Sequence, residues 1–224
     1  LLILFGIILT RNLIKKLMGF KKIYPFRIII LQEEIMTIDR ELEYLYSIAD
    51  SLKSFYIVDE KYDPWKNSPF GWIKTRPSRQ EGKIGEQLVA EWCKLKNFTV
   101  SKSGDSEADL IINGYRVEVK FSTIWETGIY KFQQLRDQRY EYAFFLGISP
   151  FAAHSWFVSK EILKLYVIGH KPQHAGKAGS DTFWLDFPVN KPPEWLEPYG
   201  GSLSQVYPIL QREIGKNKDD IIIS

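Results

Sequence analysis

Cysteine is nearly absent from this chain: Cys93 stands alone among 224 residues, beside three histidines and two methionines. One thiol excludes an internal disulfide and any thiolate-rich zinc site, and it points to a reducing compartment. Long apolar runs are missing as well. Residues 1–10 are apolar but far too short to cross a bilayer, so no membrane association is expected. With no basic region before that run and no small-residue cleavage site after it, a secretory signal is not expected either. The chain contains no repeat period and no low-complexity tract. His170-Lys-Pro-Gln-His174 has a spacing usable for zinc only on a helix, which Pro172 opposes. Gly176-Lys-Ala-Gly-Ser180 lacks the glycine spacing and the Ser or Thr after lysine that a phosphate loop needs, which excludes that mode of nucleotide binding.

Excess of one charge is lacking too, once its distribution is considered. Thirty basic and 27 acidic residues give +3, but residues 1–35 hold six basic side chains (Arg11, Lys15, Lys16, Lys21, Lys22, Arg27) and two acidic ones (Glu33, Glu34). The remainder has 24 basic against 25 acidic residues, a net of −1. A nucleic-acid partner therefore gains no support from overall charge and must rest on local patches. The first 35 residues are themselves doubtful as native protein. Leu31-Gln-Glu-Glu-Ile-Met36 can be encoded with CAGGAGGAA a few bases before ATG, a bacterial ribosome-binding sequence, and the Ile, Leu, Phe and Lys richness upstream resembles translated A/T-rich DNA. The expectation is a native start at Met36; the alternative is a genuine amphipathic extension. A bacterial or phage-encoded cytoplasmic protein follows from that reading.

The composition is that of a globular domain, 45% hydrophobic and 25% charged, with 15% aromatics including seven tryptophans that suit a well-filled core. Thr37 is placed to cap a helix running to about Phe55, with Leu42, Leu45, Ile48, Ala49 and Leu52 at helical spacing. Residues 56–78, with Pro64, Pro69 and Pro77, read as an irregular connection. Ser78 followed by Glu81 reads as a capping box opening a helix to about Lys96, its apolar stripe made by Ile84, Leu88, Val89, Trp92 and Leu95. Strands are expected over 98–103, 143–148, 154–159 and 182–187, and helices around 130–138, 160–167 and 204–214, with a basic loop over 169–181. Trp156, Trp184 and Trp195 read as core fillers.

Residues 108–121 are the most informative. Two alternating runs flank Asn113-Gly114, the dipeptide that a type I′ hairpin turn favours because both central residues need positive φ. A two-residue turn fixes the register: Ile112 faces Tyr115, Leu110 faces Val117, and Asp109 faces Glu118. One face then carries Leu110, Ile112, Tyr115, Val117, Val119 and Phe121, an apolar set for a core, and the other carries Asp109, Ile111, Arg116, Glu118 and Lys120. Facing residues have Cβ atoms about 4.5–5.5 Å apart, where like charges repel. Asp109 and Glu118 therefore call for a counter-charge, and a divalent cation such as Mg²⁺, which takes a few carboxylate oxygens and keeps several waters, supplies one. Lys120 lies on the same face, where its ammonium can orient an attacking water or stabilise charge on a phosphate. The metal acidifies that water and polarises the phosphoryl oxygen, so the set suits phosphodiester hydrolysis.

Asp109, eight intervening residues and then Glu118-Val119-Lys120 resemble the signature of the PD-(D/E)XK nuclease superfamily, with Ala108 in place of the motif's proline. The resemblance covers about residues 79–160. It implies a restriction-endonuclease-like αβββαβ core, an α/β fold with a mixed central sheet and helices on both faces. It also implies a helix-borne glutamate joining the site, for which Glu86 in Gly82-Lys-Ile-Gly-Glu-Gln-Leu88 is the best match and Glu81 the second. The Val119 carbonyl is implied as a further metal ligand, and Gln133 and Gln134 as members of a helix lining the site. Double-stranded DNA is the implied substrate, Mg²⁺ the implied metal with Mn²⁺ a possible substitute. The leading setting is a type II restriction endonuclease acting as a homodimer, with a cognate DNA methyltransferase as genetic partner. The alternatives are a structure-selective Holliday-junction resolvase or repair nuclease, and an inactive DNA-binding module of the same fold.

DNA contacts are expected from Lys74, Arg76, Arg79 and Lys83, clustered where the connection enters the Glu86 helix, from Gln133 and Gln134, and from Lys171 and Lys177 in the basic loop. Trp65, Phe70 and Trp72 near the first cluster are placed to pack or to stack. The expected organisation is thus 1–35 as the doubtful extension, 36–78 as N-terminal helix and linker, 79–160 as nuclease core, and 161–224 as C-terminal additions that include DNA-recognition elements.

Overall fold

The computed structural model describes residues 39–53, 55, 65–170 and 181–218. The expectations that fall on residues 1–35, Thr37, Lys171, Lys177 and His174 lie outside them. The described residues from Glu41 to Lys218 belong to one compact unit. Its helices are α1 (Arg40–Lys53), α2 (Gly71–Lys74), α3 (Ser78–Leu95), α4 (Lys160–Tyr166) and α5 (Leu203–Ile214), with a 3₁₀ helix over Glu194–Tyr199. Its strands are β1 (Val100–Lys102), β2 (Leu110–Ile112), β3 (Tyr115–Thr123), β4 (Ile129–Leu135), β5 (Tyr142–Ser149), β6 (Ala152–Ser159) and β7 (Phe183–Pro188).

A mixed five-stranded sheet in the order β1-β2-β3-β5-β6 forms the centre, with β3 and β5 parallel and the other neighbours antiparallel. One face packs under α1, α3 and α5, where Leu45, Ile84, Leu88, Trp92 and Leu210 close over Leu110, Val117, Val119, Phe144 and Phe157. The other face presents Ala143, Phe145, Trp156 and Val158 to Leu163 of α4, Leu196 of the 3₁₀ helix and the inner side of a separate two-stranded sheet, β4-β7. Helices thus cover both faces, as the fold class requires. Trp65, Phe70 and Trp72 are buried in the first core and so pack rather than stack on a ligand.

The Asn113-Gly114 turn is as the sequence predicts, with φ of 47° and 83° and the pairs Ile112↔Tyr115 and Leu110↔Val117. Three other expectations need correction. Residues 129–135 form strand β4, not a helix, because Tyr130, Phe132 and Leu135 turn inward against Phe187, Leu185 and Phe183 of β7. The crossover between the parallel strands β3 and β5 is therefore made by a strand where αβββαβ has its second helix. Ser78 is not a cap: Pro77 (φ −56°, ψ 144°) holds that place, its carbonyl accepting from Gln80 N and Glu81 N at 2.7 and 3.1 Å. The apolar stripe of α3 closes on Cys93, and Leu95 faces solvent.

Candidate active site

β2 is short, and its end shapes the site. Asp109 N donates to Val117 O at 3.2 Å, continuing the ladder one residue beyond β2, after which the chain leaves β3. The next group on that edge of β3, Val119 N, donates to Asp109 Oδ2 at 2.8 Å, so a side chain replaces the missing strand. In an extended strand a residue's N–H and C=O point to the same edge. The Val119 carbonyl therefore faces the same uncovered edge, and Val119 lines the cleft there.

Glu118 is the central carboxylate. Its Oε1 lies 2.6 Å from Lys120 Nζ, with the two side chains only 8% and 14% exposed. Burial raises its pKa; Lys120 opposes that rise and the neighbouring Asp109, within hydrogen-bonding reach, adds to it. The facing register read from the turn thus brings both carboxyls and Lys120 together. Glu86, on α3, joins them electrostatically: burial first and then Asp109 raise its pKa, against Lys102, Lys120 and Lys83. Glu81 lies one turn and more up the same helix, where burial, opposed by Lys74, pushes its carboxyl up to about 7.

These groups line one cleft of about 690 Å³ between α3, the C-terminal half of β3 and β4. Of the predicted residues, Glu86, Asp109, Glu118, Val119, Lys120, Lys74, Arg79, Lys83, Gln133 and Gln134 are on its wall. Arg76 is not; its guanidinium bonds instead to Thr75 Oγ1. Gln133 and Gln134 reach the cleft from a strand and not from the expected helix. The sequence reading passed over Trp125 and Lys131, which also line it, Lys131 Nζ lying 4.9 Å from the Trp125 ring centre and 3.6 Å from that of Trp184. The alternation Tyr130-Lys-Phe-Gln133 was the signal for Lys131.

Chemically, the cleft floor offers hard oxygen donors, the class that Mg²⁺ takes. Asp109, Glu118 and the Val119 carbonyl fit such an ion in type, and the two carboxyls stand close enough for Asp109 to raise the Glu118 pKa further, after burial and against Lys120. Among the described residues no three of His, Cys, Asp and Glu form a cation cage by themselves, so a backbone oxygen and water would have to complete the shell. No helix among the described residues is long and apolar enough to cross a membrane.

No family model and no curated protein matches the chain. Among solved structures it is similar to that of a bacterial homing endonuclease, at 15% identity and a TM-score of 0.42, over 66% of this chain and 99% of the other. At that TM-score the site's own geometry has to carry the functional reading.

Proposed function

We propose that the chain is a Mg²⁺-dependent endonuclease that hydrolyses DNA phosphodiester bonds, with Asp109, Glu118 and Lys120 at its centre. The observation that carries this is the juxtaposition of two carboxyls and one pinned ammonium on the floor of a cleft walled by Lys74, Arg79 and Lys83. Asp109, Glu118 and the Val119 carbonyl would hold the metal, with Glu86 adding an outer carboxylate through water. Bound there, the cation would acidify a water and polarise a phosphoryl oxygen. Lys120, held by Glu118, positions that water and stabilises charge on the scissile phosphate. Asp109 has a second task, since it also terminates the β3 edge through Val119 N. Lys74, Arg79 and Lys83 fix the phosphate backbone over the site. The resemblance of Asp109 and Glu118-Val119-Lys120 to the nuclease signature favours a type II restriction endonuclease working as a homodimer on double-stranded DNA, in the cytoplasm and beside a methyltransferase.

Plasmid digestion tests the chemistry. Cleavage should need Mg²⁺, with Mn²⁺ as a substitute, and fall by about 10²–10³-fold or more in Asp109→Ala and Lys120→Ala. Full activity in both variants would overturn the assignment. Discrete fragments from linear duplex support restriction, and preferential cutting of branched junctions refutes it in favour of a resolvase.

A further inference from the structure

Strand β4 carries one residue too many for its partner. Its pairs with β7 run Ile129↔Pro188, Tyr130↔Phe187, Lys131↔Asp186 and Phe132↔Leu185, and then jump to Leu135↔Phe183. Across that step β4 spends two residues, Gln133 and Gln134, where β7 spends one, Trp184. This is a β-bulge, and it is closed by Gln134 in the left-handed region, at φ 57°. Strict alternation would have turned Gln134 inward after Phe132. The bulge gives that inward place to Leu135, which is fully buried, and leaves Gln133 and Gln134 side by side on the outer surface. Both line the cleft. A non-glycine residue held at positive φ is uncommon, and such strain gathers at functional sites.

The ribbon that bears them is also the right size. Two antiparallel strands fit the major groove, about 12 Å wide in B-form DNA. The inner side of β4-β7 is committed to the core through Tyr130, Phe132, Leu135, Leu185 and Phe187, so its outer side is the one available to a ligand. A glutamine amide sets an NH₂ donor beside a carbonyl acceptor, the complement of adenine N7 and N6–H in that groove. Neither group answers a phosphate as well as the lysines on the opposite wall do.

We infer that β4-β7 is a base-reading ribbon, with Gln133 and Gln134 recognising adenine in one or two neighbouring A·T pairs of the substrate. The inference rests on the cleft being a DNA site, and not on its being a catalytic one.

Selection of bound duplexes from a randomised pool by the full chain, with and without Ca²⁺, tests it without any cleavage. The wild type should enrich one or two adjacent A·T pairs. Gln133→Ala and Gln134→Gly should each lose that preference by about 5- to 150-fold at one position, the worth of a bidentate contact. Glycine at 134 keeps the positive φ, so this loss cannot come from a collapsed bulge. A 7-deazaadenine at the enriched position should weaken the wild type and leave the matching variant indifferent. Enrichment of no A·T pair, an equal loss on every sequence, or an absence of binding would each overturn the inference. Adenine preference without Mg²⁺-dependent cutting would sink the nuclease reading alone; cutting without adenine preference would sink this one alone.

Discussion

Two of the cleft's glutamates meet the same burial with different neighbours. Glu118 has Lys120 at 2.6 Å and a neighbouring carboxyl beside it. Glu81 has only the more distant Lys74 to offset its burial, since the Lys74 ammonium donates to Thr123 Oγ1 at 3.0 Å. With its pKa raised to about 7, Glu81 binds a proton more tightly in the folded chain than in the unfolded one. Its contribution to stability is therefore intact below the unfolded value, declines as pH rises toward about 7, and is constant above it. Glu81→Gln removes that decline. In EDTA, the Tm of Glu81→Gln relative to wild type should be higher at about pH 8 than at about pH 5. A difference independent of pH would mean that Glu81 stays ionised in the fold. Glu86 and Glu118 are shifted in the same direction, so some loss of stability with rising pH should persist in the variant.

Helix α3 sits on β3 through a contact that only glycine permits. A Cβ at Gly85 would fall inside the Phe121 side chain, whereas a Cβ at Gly82 would meet nothing within 4 Å. Gly85→Ala should cost about 1–3 kcal/mol by overpacking, read as a lower Tm, and should cut DNA cleavage as well because Glu86 moves with the helix. Gly82→Ala should be neutral or stabilise by about 0.5–1 kcal/mol. Equal Tm values for the two variants would refute the close packing. The elements legible in the sequence were those set by local information. The I′ turn needs two positive φ values at Asn113-Gly114, and its two-residue length then dictates that Asp109 and Glu118 adjoin. That turn also holds what no pattern revealed: Asn113 Nδ2 donates to Ile214 O at the end of α5, 101 residues away, and Asn113 Oδ1 accepts from Thr99 N. β4 is hidden from sequence periodicity for a related reason. Its alternation lasts only from Tyr130 to Gln133 before the bulge breaks it, and the partner that makes it a strand lies about 50 residues on, in β7.

Over the whole molecule, charge acts by placement. Outside residues 1–35 the chain carries a net −1, yet Lys74, Arg79, Lys83, Lys120 and Lys131 converge on one cleft. Affinity for duplex DNA should then fall with salt along a log–log line, by about 0.9 for each phosphate neutralised. Lys83→Ala should flatten that slope by about one, and Arg76→Ala should leave it unchanged, since Arg76 is off the wall. Titrations at several salt concentrations check both, and an equal effect of the two variants would contradict the placement. The cleft is framed by both cores: α1, α3 and α5 pack on one side of the sheet, and β4-β7 with α4 packs on the other. Residue spacing could announce each amphipathic element, but not which face of the sheet it would take.

The extra residue in β4 has a genetic consequence. Removing one codon, that of Gln134, would let Leu135 meet Phe183 in the register that already runs from Ile129 to Phe132. The ribbon would close flush, its inner residues unchanged and one outward amide gone. On the base-reading proposal, the gain or loss of a single triplet would change recognition, with no rebuilding of the core beneath it.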